Sequence, residues 1–171
     1  MGVIFDLDQT LVDTKFIESY RNNRDWVTVR RLINQVRPYV GIDDIIQKLR
    51  LNNIPVAIVT NSPSFYLDLI LNHLNWSIQY KVCYHDIPKG FHKPHYLPIQ
   101  RAIEGLNVSK SSTYSFGDRD IDITASKGAQ VKAIGCLWGS DNHESLRQSN
   151  PDIILSTISE LNIYIQKEFN I

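Results

Sequence analysis

Asp6 and Asp8 stand two residues apart, directly after the apolar run Val3-Ile4-Phe5. One carboxylate of such a pair can attack an electrophile while the other carries a proton. Thr60-Asn61 follows a second apolar run, Pro55-Val56-Ala57-Ile58-Val59, and Gly117-Asp118-Arg119-Asp120-Ile121-Asp122 follows a third, Thr113-Tyr114-Ser115-Phe116. Lys93 lies between them, before Pro94. Carboxylates gathered in one crevice repel one another and need a cation or proton uptake. All the candidate ligands are hard oxygens, which suits Mg²⁺ rather than zinc or copper. A lysine beside them would not bind Mg²⁺. It would bind the anion that Mg²⁺ also binds, which points to phosphate. Thr60 and the N–H groups of a following helix start could take further phosphate oxygens.

The elements that would position these groups alternate. Strands are expected at residues 3–5, 55–59, 80–83, 113–116, 131–137 and 152–155. Residues 14–36 read as two short helices. Further helices are expected over 42–53, from Thr60-Asn61-Ser62-Pro63 to Leu74, over 95–106 and 121–129, and from about Thr157. Ser62 suits a helix N-cap and Pro63 a first helical position. Short apolar strands alternating with helices predict a parallel sheet covered on both faces. Right-handed crossovers then give a doubly wound α/β domain, Rossmann-like, in which ligands bind at the carboxyl ends of the strands. Those ends carry Asp6, Thr60 and Asp118.

Composition narrows the classes. The chain has 171 residues, enough for one domain with a sizeable core. Apolar residues make up 43% and charged residues 21%, which excludes a disordered chain. Lys+Arg and Asp+Glu are both 18, so no net field draws the protein to nucleic acid or a membrane surface. No apolar run reaches the ~20 residues of a membrane span. No leader peptide is expected, because Asp6 and Asp8 interrupt the first apolar stretch. Cys83 and Cys136 are too few for a disulfide framework and lack metal-ligand spacing. The expectation is a cytoplasmic domain.

In this order the motifs resemble those of the haloacid dehalogenase-like hydrolases, chiefly their phosphatase branch. The pattern hhhhDxDxT stands at residues 3–10 as Val3-Ile4-Phe5-Asp6-Leu7-Asp8-Gln9-Thr10. The hhhT strand end is Ile58-Val59-Thr60-Asn61, the lysine is Lys93-Pro94, and GDxxxD is residues 117–122. Residues 133–139 and 151–154 resemble the ends of phosphoglycolate-phosphatase-type members. The resemblance implies Asp6 as nucleophile and Mg²⁺ ligand, and Asp8 as general acid/base whose backbone carbonyl also binds Mg²⁺. It implies that Thr60 and the Asn61 backbone hold the phosphoryl group and that Lys93 offsets its charge. Asp118 would be a Mg²⁺ ligand, with Asp122 supporting from just outside or through water. Asp120 is a carboxylate that the pattern does not ask for. The implied partner is a phosphorylated small molecule.

Many relatives insert a large helical cap after the first motif. Here residues 14–37 allow only two short helices, within one domain spanning 1–171. A smaller lid leaves the crevice more open, which admits a bulky or even macromolecular phosphate. The segment holds six basic residues, Lys15, Arg21, Arg24, Arg30, Arg31 and Arg37, against Glu18 and Asp25. They read either as a solvated face or as contacts for an anionic leaving group, with Arg24 and Arg30 the candidates. His85, His92 and His95 share one loop but lack partners for a zinc set. Trp26, Trp76 and Trp138 read as packing residues. The expected activity is Mg²⁺-dependent phosphomonoester hydrolysis through an aspartyl-phosphate. The alternatives are a phosphomutase, which needs a closing cap, and a phospho-acceptor or binding member without turnover.

Overall fold

The computed structural model describes residues 1–171. The chain runs β1 (Gly2–Phe5), β2 (Val12–Asp13), α1 (Glu18–Asn22), α2 (Trp26–Leu32), β3 (Arg37–Pro38), α3 (Ile42–Leu51), β4 (Val56–Val59), α4 (Ser64–Leu74), β5 (Tyr80–Val82), α5 (Leu97–Leu106), β6 (Thr113–Gly117), α6 (Asp120–Gly128), β7 (Lys132–Cys136), α7 (His143–Gln148), β8 (Ile153–Leu155) and α8 (Ile158–Phe169). Six strands form one sheet in the order β5-β4-β1-β6-β7-β8. Every pairing in it is parallel. This is the doubly wound α/β architecture expected from the alternation of apolar runs.

Side-chain alternation along the central strands builds both layers. Val3 and Phe5 of β1, with Val56 and Ile58 of β4, join the larger core with α3, α4 and α8. Ile4, Ala57 and Val59 point the other way, into the core with α5 and α6. All four β1 residues are buried, as a strand covered on both faces must be. Phe5 stacks on Phe116 across β1 and β6, ring centroids 5.0 Å apart, which fixes the two strand ends that carry Asp6 and Asp118.

Several boundaries shift for local reasons. The third strand stops at Val82, because the Cys83 N–H is taken by the Asp86 carboxylate. The helix expected from residue 95 starts at Leu97, whose N–H donates to His95 Nδ1. The fifth strand ends at Cys136, and Leu137–Gly139 turns into a 3-10 helix. Ser62 does not cap α4: Pro63 occupies the N-cap position and no side chain caps the helix. Asp25, Asn142 and Thr157 do cap α2, α7 and α8, each accepting a backbone N–H.

The segment 14–37 holds α1 and α2. Its base is closed by β2 and β3, an antiparallel pair that the sequence reading missed because each strand has only two residues. Tyr39 N–H donates to the Leu11 carbonyl beside this pair, so the inserted segment leaves and re-enters the sheet region at one point.

Candidate active site

The carboxyl ends of β1, β4 and β6 open into one cavity of about 910 Å³. Asp6, Asp8, Thr60, Asn61, Lys93, Asp118 and Asp122 all line it, so the seven residues of the four strand-end motifs lie at this one place.

Lys93 is the hub. Its Nζ donates to Asp6 Oδ1 at 2.6 Å, to Asp122 Oδ1 at 2.6 Å and to the Val59 carbonyl at 2.9 Å. Only 3% of its side chain is exposed. A buried ammonium of this kind requires paired, hydrogen-bonded surroundings, and here all three N–H groups have them. Burial alone would lower its pKa, but Asp122 and Asp6 outweigh burial and raise it. Asn61 fixes the lysine from outside: its Nδ2 donates to the Lys93 carbonyl at 3.0 Å, and its Oδ1 accepts the Lys93 N–H at 3.2 Å.

The acids exceed this one cation. Burial, against the pull of Lys93 and with the push of Asp122 and Asp8, raises Asp6 to about 7. Burial, followed by repulsion from Asp6 and Asp122, raises Asp118 to about 9. Oxygens of Asp6, Asp118 and Asp122 lie within 4.8 Å of one another. Besides Lys93, which donates to Asp6 and Asp122, Thr10 Oγ1 donates to Asp118 Oδ1 at 2.7 Å and the Arg119 N–H donates to Asp122 Oδ2 at 3.1 Å. A cluster of hard oxygens carrying uncompensated negative charge fits a divalent cation such as Mg²⁺.

Asp8 faces away from that cluster and is held by four groups. Thr14 Oγ1 donates to its Oδ1 at 2.8 Å and the Tyr66 hydroxyl at 2.7 Å. Ser62 Oγ donates to Oδ2 at 3.1 Å, and the Arg21 guanidinium forms an ion pair with the same oxygen. None of the four was singled out as an Asp8 contact from the sequence. Thr14 and Arg21 lie within the segment 14–37, Ser62 suits a helix cap by sequence, and Tyr66 has no distinguishing pattern. Thr60 Oγ1 accepts the Ser62 N–H at 3.0 Å, which leaves its own O–H free to face the cavity.

Of the cap arginines proposed as leaving-group contacts, Arg24 lines the cavity. Arg30 does not. Its guanidinium lies 5.0 Å over the ring of Phe65, which is itself part of the cavity lining. The extra acid, Asp120, ties α6 to α7 by accepting from Ser145 Oγ at 3.0 Å. The histidines do not converge on a metal: His92 Nε2 contacts the Tyr84 carbonyl and His95 accepts from Leu97. Trp76 and Trp138 pack and donate to Asp43 and the Thr10 carbonyl, whereas Trp26 also forms part of the cavity wall.

The model of the family described as haloacid dehalogenase-like hydrolase matches residues 17–136. A phosphoglycolate phosphatase of Xylella fastidiosa is 32% identical over 108 residues, covering 63% of this chain and 47% of that protein. The pyrophosphatase PpaX of Oceanobacillus iheyensis is 24% identical over 157 residues, 91% of this chain and 70% of its own length. The crystal structure of a hydrolase from Pseudomonas syringae superposes with a TM-score of 0.80 at 17% identity, covering 97% of this chain and 98% of that one. The chain spans about half the length of the phosphoglycolate phosphatases it matches, between 47% and 57% of the first four. No helix is long and apolar enough to cross a membrane.

Proposed function

The chain belongs to the haloacid dehalogenase-like hydrolases, and from that premise we propose that it is a Mg²⁺-dependent phosphatase acting on phosphorylated small molecules. The observation that carries this reading is the Lys93 ammonium bridging Asp6 and Asp122 beside the Thr60 hydroxyl. It supports a site built for one anion and one divalent cation together.

Asp6, Asp118 and the Asp8 backbone carbonyl would hold Mg²⁺, with Asp122 in support. When bound, the ion neutralises the acidic cluster and withdraws charge from phosphoryl oxygens. In the first step an Asp6 carboxylate oxygen attacks phosphorus. The bond to the leaving oxygen breaks, and the Asp8 carboxyl gives that oxygen a proton. In the second step Asp8, now a carboxylate, takes a proton from water as the water oxygen attacks phosphorus. The bond to Asp6 breaks and phosphate departs. Thr60 and the Asn61 backbone hold the phosphoryl oxygens throughout, and the Lys93 ammonium, bonded to Asp6 and Asp122, offsets their charge.

Phosphate release from a panel of phosphate esters and anhydrides, with and without Mg²⁺, tests the reading. Release that needs Mg²⁺ and disappears in Asp6→Asn is the expected result. Full activity of Asp6→Asn, or a stable aspartyl-phosphate with no release, would overturn it.

A further inference from the structure

The loop after β1 is held in place by residues outside the strand-end motifs. Gln9, between Asp8 and Thr10, has a φ of 66°, in the left-handed region that a residue with a side chain enters only at a cost. Its N–H donates to the Val12 carbonyl at 2.8 Å. In a trans peptide the N–H and C=O point opposite ways, so this bond also sets the direction of the Asp8 carbonyl. A strained turn of this kind persists only where its surroundings over-determine it.

Trp138 and Gly139, in the 3-10 turn Leu137–Gly139 after β7, supply those surroundings. Trp138 Nε1 donates to the Thr10 carbonyl at 3.0 Å. Thr10 is fully buried, and its Oγ1 donates in turn to Asp118 Oδ1 at 2.7 Å. Through this one residue the indole fixes the loop and a carboxylate of the acidic cluster together. A buried carbonyl that lost its donor would draw the loop out of position. Gly139 lies directly against the turn: a Cβ there would overlap the carbonyl carbon and oxygen of Gln9. Both atoms are backbone, so any side chain at position 139 displaces the turn. Neither Trp138 nor Gly139 lines the cavity, so neither touches what binds there.

We infer that Trp138 and Gly139 are positioning residues for the metal. They hold residues 8–10 so that the Asp8 carbonyl and the Asp118 carboxylate stand ready for Mg²⁺. The inference rests on the Mg²⁺ site proposed above and adds to it a segment from the far side of β6.

Calorimetric titration of the metal-free protein with Mg²⁺ alone is the test, with Trp76 as the matched control. Trp76 Nε1 also donates one hydrogen bond, to Asp43 Oδ1 at 2.7 Å, and does not line the cavity. Trp138→Phe keeps an aromatic ring and removes the donor, and its Kd for Mg²⁺ rises roughly tenfold, as for other supports of metal ligands. Trp76→Phe stays within about twofold of wild type, because it shares no partner with the site. Phosphate release as a function of Mg²⁺ concentration gives a second readout. In Trp138→Phe the half-maximal Mg²⁺ concentration rises, while the rate at saturating Mg²⁺ stays close to that of wild type. A mere loss of folded protein would lower the rate at every Mg²⁺ concentration. Gly139→Ala moves the Kd further in the same direction. An unchanged Kd in Trp138→Phe, or equal shifts in Trp138→Phe and Trp76→Phe, would overturn the inference and leave the phosphatase reading standing. Hydrolysis of no ester in the panel would overturn the phosphatase reading, and a raised Kd in Trp138→Phe would still uphold the inference. Wild-type protein that binds no Mg²⁺ would overturn both.

Discussion

The Tyr66 hydroxyl, on a fully buried side chain of α4, donates to Asp8 Oδ1 at 2.7 Å. The bond joins the helix after β4 to the loop after β1, so two separate strand ends agree on where the second carboxylate points. Tyr66 does not line the cavity and cannot touch substrate. Tyr66→Phe keeps the ring beneath Arg21 and removes only the donor. Asp8 retains Thr14, Ser62 and Arg21. The expected result is a several-fold to tenfold lower kcat with KM nearly unchanged, and a stability loss of about 1 kcal/mol in denaturant melts. A KM effect larger than the kcat effect would show that the ring shapes the cavity instead.

The raised carboxyls set the pH dependence of the metal-free protein. Asp6 at about 7 and Asp118 at about 9 both lie above the usual 3.8. Between those values the folded state binds more protons than the unfolded chain, so stability falls as pH rises. The raised pKa of Lys93 contributes stability that is lost only far above this window. In EDTA the melting temperature should therefore decline from pH 5 to pH 9. Mg²⁺ binds the ionised acids, so the stabilisation it gives should grow with pH over the same range. A metal-free melting temperature that rises with pH would contradict the cluster's arrangement.

Asp6, Thr60 and Asp118 were legible in the sequence because each directly follows an apolar strand, which brings it to the carboxyl edge of the sheet. Asp6, Thr60 and Asp118 follow β1, β4 and β6, which are neighbours in the sheet. The sheet itself was legible for the same reason: Val3, Phe5, Val56 and Ile58 can be buried on one face only if Ile4, Ala57 and Val59 are buried on the other. The support around Asp8 was not legible. Thr14 and Arg21 come from the segment 14–37 and Ser62 and Tyr66 from the start of α4, and nothing in either stretch marks them as partners of a carboxylate after β1. Ser62 shows why: it lies one residue before the N-cap position, which Pro63 holds, and its hydroxyl donates to Asp8 and accepts from Arg21 instead.

Arg30 separates the two meanings of the basic cap. Charge counting could not tell it from Arg21, yet its guanidinium lies on Phe65 and outside the cavity. Arg30→Ala should leave kcat and KM on every substrate within about twofold, and cost roughly 0.5–1 kcal/mol of stability for the lost cation–π contact. A raised KM in this variant would return the whole cap face to substrate binding.

Gly117 closes β6 immediately before Asp118, and its reason is local crowding. A Cβ there would overlap Asp122 Cβ and its carboxyl group. Asp122 cannot give way freely, because it accepts from both Lys93 and the Arg119 N–H. Gly117→Ala should therefore displace Asp122, lower stability by about 1–3 kcal/mol through overpacking, and raise the Mg²⁺ concentration needed for half-maximal activity at least tenfold. Gly90→Ala is the matched comparison. Gly90 has φ of 91° but nothing within 4 Å of the added methyl. That variant should lose about 1 kcal/mol to backbone strain alone and keep its Mg²⁺ response. Equal Mg²⁺ responses in the two alanine variants would mean that the closeness of Asp122 to the strand end has no part in holding the metal.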